Sequence, residues 1–106
     1  MTNEAPPWTV TFSGQADKQK EKLPTNMREK LFALAHELRW EGPEQPEWPH
    51  YGKLSGRKKG EDYRHCHLNK GKPRYVAVWK VLDMELQLME IRYAGTHENA
   101  DYRRIS

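Results

Sequence analysis

One cysteine, Cys66, stands in 106 residues, so no intrachain disulfide can form and packing and hydrogen bonds must hold the fold. That usage fits a reducing compartment, and the cytoplasm is the expected location. No run of eighteen apolar residues occurs, so no membrane-spanning helix is expected. The opening Met1-Thr2-Asn3-Glu4-Ala5-Pro6-Pro7 has neither a basic start nor an apolar stretch; it reads as a disordered tail over residues 1–7 and not as a signal peptide. CxxC, HExxH and Walker spacings are missing, which leaves no recognisable metal or nucleotide-triphosphate motif, and neither metal nor cofactor is expected. Repeats and low-complexity tracts are lacking too. The whole chain, 1–106, reads as one domain with room for a modest core.

Charge is present but unevenly spread. The formal total is +3, yet residues 50–74 alone hold eight cations (Lys53, Arg57, Lys58, Lys59, Arg64, Lys70, Lys72, Arg74) against Glu61 and Asp62, a local +6. The remainder has ten cations and thirteen acids, or −3. A local positive field beside Tyr51, Tyr63 and Tyr75 suits a polyanion, nucleic acid first among them. A charge run by itself equally suits a solvated face.

Hydrophobic periodicity organises the rest. Trp8-Thr9-Val10-Thr11-Phe12 alternates as a short strand, and residues 15–23 form a charged helical segment that Pro24 ends or follows with a new helix. Met27, Leu31, Leu34, Ala35 and Leu38 make the stripe of an amphipathic helix over 25–40, with His36 beside it. Pro43, Pro46 and Pro49 exclude helix and central strand from 41–50, which is expected to be an ordered loop anchored by Trp48. Strands are expected at 63–69, 74–82 and 84–94, the last two joined tightly at Asp83 and so antiparallel. Helices first and strands last predict an α+β class: one antiparallel sheet with two N-terminal helices on one face.

The chemistry concentrates in Tyr63-Arg64-His65-Cys66-His67-Leu68, a turn at Lys70-Gly71-Lys72-Pro73, and Arg74-Tyr75-Val76. Strand alternation puts His65 and His67 together, exposed, with Cys66 and Leu68 opposite. Cys66 is therefore an inert core thiol and Trp79 a core aromatic. For zinc, His65 and His67 would need His97 or His50 as a third ligand, and no spacing supports it. Histidines beside fixed cations instead offer a proton acceptor, a proton donor and a clamp for phosphorane charge. His67, His65 and His97 are the candidates for proton transfer, although strand histidines are often only polar surface. Lys53, in the Gly-Lys-rich stretch from Gly52, and Lys72 offer backbone phosphate contacts. Tyr102 could stack on a base or simply fill space.

The succession of motifs resembles the RelE/ParE toxin superfamily from Phe12 to Tyr102. The residues that carry it are Lys22-Leu23-Pro24 between two helices, Gly52-Lys53-Leu54-Ser55-Gly56, the His65–His67 strand, Arg74-Tyr75-Val76 and Tyr93-Ala94-Gly95-Thr96-His97-Glu98. The resemblance implies a RelE-like sheet backed by two helices. It implies the toxin of a type II toxin–antitoxin pair, held inactive by an antitoxin of helix-turn-helix type. RelE-like members cut mRNA in the ribosomal A site without a metal, leaving a 2′,3′-cyclic phosphate; ParE-like members poison DNA gyrase. Arg74 falls at the position of a phosphate-stabilising arginine. His67 and His97 fall where the histidine-using branch, such as HigB and YafQ, has its proton-transfer pair, with His65, Lys53, Lys72 and Tyr102 as RNA contacts. A plain RNA-binding module remains the non-catalytic alternative.

Overall fold

The computed structural model describes residues 4–101 and Ile105. Of the expected tail, residues 4–7 form neither helix nor strand.

The elements run β1 (Thr9–Phe12), α1 (Gly14–Glu21), α2 (Thr25–Glu41), β2 (Gly52–Lys53), β3 (Asp62–His67), β4 (Tyr75–Asp83) and β5 (Leu88–Thr96). Ser13 starts α1 because its Oγ accepts the Ala16 N–H at 3.1 Å, satisfying a donor the helix cannot use itself. Arg28 closes the other end by donating to the Lys20, Glu21 and Leu23 carbonyls at 2.9–3.3 Å. Pro24, with φ −54°, opens α2, and Gly42 ends it at φ +91°. A side chain at position 42 would be strained there and would press on the Trp8 indole, 3.0 Å from a notional Cβ. The five stripe residues of α2 are all buried, as their spacing requires.

The five-stranded sheet has the order β1-β5-β4-β3-β2. Its class is the expected α+β. The expectation of a wholly antiparallel sheet is corrected at one edge: β1 runs parallel to β5. No hairpin constrains β1, since two helices carry the chain away from it, so it is free to pair in either direction. Gly52–Lys53, at the start of the Gly-Lys-rich stretch, is a two-residue edge strand on β3. The β4–β5 link is a turn over residues 84–87, with Asp83 Oδ1 accepting Leu86 N–H at 2.8 Å, so β5 begins later than expected.

Helices cover one face. There Cys66, Leu68, Ala77, Trp79, Val81, Met89 and Ile91 meet the α2 stripe. A smaller apolar layer of Tyr63, Val76, Val78, Tyr93 and Ile105 lies on the other face. A bulge between β4 and β5 leaves Arg92 unpaired, which lets Ile91 face the helices while Tyr93 faces away. The Pro-rich loop is ordered as expected. Trp48 donates its indole N–H to Glu37, and Gln45, buried, donates to the Gly42 carbonyl at 2.9 Å. Among the described residues no helix is long and apolar enough to cross a membrane.

Candidate active site

Alternation along β3 sends Tyr63, His65 and His67 to the face away from the helices, and Arg64, Cys66 and Leu68 toward them. Register then assembles the rest. His67 lies opposite Val76, which lies opposite Gly95. Two residues beyond that row, at the ends of β4 and β5, come Arg74 and His97 on the same face. They are tied together, since the His97 N–H donates to the Arg74 carbonyl at 2.8 Å. The His67 N–H donates in turn to the Pro49 carbonyl at 2.8 Å, which brings His50 alongside.

The result is a row of imidazoles. The His50 and His67 rings are 4.2 Å apart and tilted by 31°. The His67 and His97 rings meet edge to face at 5.5 Å. Burial is the main force holding His67 below the ordinary histidine range, reinforced by the charges of His50, His97, His65 and Arg74. Burial also lowers His65, followed by the charges of His50 and His97. A neutral, buried imidazole with further imidazoles and a guanidinium around it can accept a proton, pass one on and hold an anion. Among the described residues, no three His, Cys, Asp or Glu side chains are grouped as a metal-ligand set.

His67, His97 and Arg74 are thus brought together, with His65 inside the same face. The expectation that both strand histidines are exposed is corrected: His67 retains 7 % of its surface and His65 is half-buried. The cause is the second apolar layer on that face, together with the tilted His50 ring lying against His67. Lys53 does not join them. It pairs in register with Arg64, on the other side of β3 from His65, where the Arg64 hydrogen bond holds Asp62 below the usual carboxylate range and the Lys53 charge adds a little. Lys72 is exposed in the β3–β4 loop, two residues before Arg74. Tyr102 lies outside the described residues.

Two members of the basic segment are structural. Arg64, only 3 % exposed, is held by Asp62 at 2.8 and 2.9 Å and by the Tyr51 hydroxyl at 2.9 Å. Arg57 lies over the Tyr63 ring at 4.0 Å and donates to the Ile105 carbonyl at 2.7 Å. Tyr63 is therefore buried and not available for stacking on a ligand. Cys66 is the inert core thiol expected, pushed up to about 12 by burial. His50, which the sequence offers only as a third zinc ligand, instead stands against His67. Its position depends on a long loop crossing, and the one local hint is its place directly after Pro49.

The sequence matches no protein-family model, and no curated protein matches it. Solved structures do match the fold. An archaeal RelE in the RelE–RelB complex from Pyrococcus horikoshii OT3 aligns with a TM-score of 0.69 at 17 % identity, covering 89 % of this chain and 99 % of that one. A double arginine-to-alanine mutant of the E. coli toxin RelE in its free state aligns with a TM-score of 0.65 at 19 % identity, covering 93 % and 94 %.

Proposed function

We propose that this RelE-fold chain is the toxin of a type II toxin–antitoxin pair, a metal-independent endoribonuclease that cuts mRNA in the ribosomal A site. The supporting observation is the His67 ring set between His50 at 4.2 Å and His97 at 5.5 Å, with His97 bonded to the Arg74 backbone. In this reading His67, kept neutral by burial, accepts the proton of a ribose 2′-hydroxyl. The 2′-oxygen attacks the adjacent phosphorus, the bond to the 5′-oxygen breaks, and His97 protonates that leaving oxygen. A 2′,3′-cyclic phosphate and a 5′-hydroxyl end remain. Arg74 stabilises the phosphorane, and His65 and Lys72 guide the backbone of the RNA. Lys53, on the other side of β3, can serve only RNA that wraps the edge strand. An antitoxin of helix-turn-helix type would hold the toxin inactive in the cytoplasm, as RelB accompanies the archaeal RelE.

Expression in a cell without antitoxin tests this. Wild type arrests growth and leaves discrete mRNA ends by primer extension, whereas His97→Ala and Arg74→Ala do neither. Equal arrest by both variants contradicts the assignment. Gyrase inhibition with intact mRNA would favour the ParE-like reading.

A further inference from the structure

A recess of about 350 Å³ opens on the helix side of the sheet, at the same rim that carries Arg74 and His97. Its lining includes Gln19 from α1, Lys22 just past the end of that helix, Tyr75 from the start of β4, Thr96 from the end of β5, and Asn99 from the turn that follows. Ala94 and Gly95 form part of its boundary and bring almost no side chain, which keeps it open. The size lies at the lower end of the roughly 300–1,000 Å³ typical of small-molecule sites, suited to one nucleotide-sized group.

We propose that this recess holds the base of an RNA nucleotide adjacent to the cut. The inference rests on the nuclease reading above. Tyr75 directly follows Arg74, and alternation turns its side chain to the helix face while Arg74 stays with the histidines. Thr96, its register partner, directly precedes His97. A strand of RNA whose phosphate lies at Arg74 therefore has only the sheet rim to cross before its next base meets the recess. The chemistry suits a base. Tyr75 is half-buried and supplies an aromatic wall, and unpaired RNA bases are read by such stacking together with hydrogen bonds to their edges. Gln19 and Asn99 supply carboxamides, which match the paired donor and acceptor of a base edge. The Gln19 carboxamide is already oriented, its Oε1 accepting the Ala94 N–H at 3.0 Å. Lys22, exposed at the mouth, meets the phosphate.

The test is a titration of the ¹⁵N-labelled full chain with each of the four nucleoside 5′-monophosphates, followed by NMR. At least one nucleotide is expected to shift the Ala94, Thr96 and Asn99 amides and the Gln19 side-chain amide. Asn99→Ala and Tyr75→Leu each weaken that binding roughly three- to tenfold, while Tyr75→Phe preserves it. Shifts absent for all four nucleotides, or confined to His67 and His97, overturn the proposal. Binding is read without any cutting. A chain that binds a nucleotide here but never cuts RNA loses the nuclease reading alone; an active nuclease whose recess ignores every nucleotide loses the subsite alone.

Discussion

His67 shows how one side chain acquires its character from neighbours distant in sequence. The β3 backbone aims it, Pro49 holds its N–H, and the flanking His50 and His97 rings exclude solvent and disfavour a positive charge on it. The acid limb of kcat/KM for RNA cleavage should therefore fall below about 6.5, the ordinary histidine value. His50→Ala removes both desolvation and a like charge from His67, so it should move that limb to higher pH. An unmoved limb would mean that His67 does not titrate in the reaction. His67→Gln, which keeps a polar side chain of similar reach, should lower kcat by about 10²–10⁴ with little change in melting temperature. Gly95 is set as tightly from the other side of the row. A Cβ there would stand 2.7 Å from the Tyr93 hydroxyl, which donates to the Thr96 carbonyl at 2.8 Å.

At the scale of elements, the β3–β4 hairpin delivers both strand histidines and Arg74, and Asn69 is its fastener. Its Oδ1 accepts the Tyr75 N–H at 2.9 Å and its Nδ2 donates to the Pro73 carbonyl at 3.0 Å, fixing the segment that carries Arg74. Asn69→Ala should cost about 1–2 kcal/mol in urea unfolding and lower cleavage along with it. Cleavage at the wild-type rate would separate the loop from the site. The hairpin, the α2 stripe and the Trp48 anchor were legible in sequence because local periodicity and proline chemistry write them directly. The parallel pairing of β1 and the short β2 were not, since both depend on partners far along the chain. His50 escaped for the same reason. The burial of His67 escaped because alternation distinguishes two faces of a strand and says nothing about whether the second face is also covered; here Tyr63, Val76, Val78, Tyr93 and Ile105 cover it.

Across the whole molecule, positive charge gathers at the histidine-bearing segment while the rest is net acidic. The exposed members Lys70, Lys72 and Arg74 sit in or beside the β3–β4 loop, where they suit a polyanion. The same segment also sets a pH dependence of stability. His65 and His67 have folded-state affinities for protons below those of the unfolded chain, so the unfolded state binds more protons on acidification. Their contribution is complete above about 6.5 and is lost as pH falls through their lower folded values. Melting temperature should drop over that window, and His65→Ala should flatten the drop; an unchanged slope would place the proton uptake elsewhere. If His67, His97 and Arg74 act together on one ribose-phosphate link, purified protein in EDTA should cleave ribosome-bound mRNA, and chemical identification of the new ends reads the step. Wild type should leave 2′,3′-cyclic phosphate ends, and His67→Ala and His97→Ala should each cut at least about a hundredfold more slowly. Intact mRNA with wild type, or undiminished cutting by both variants, would contradict that joint action.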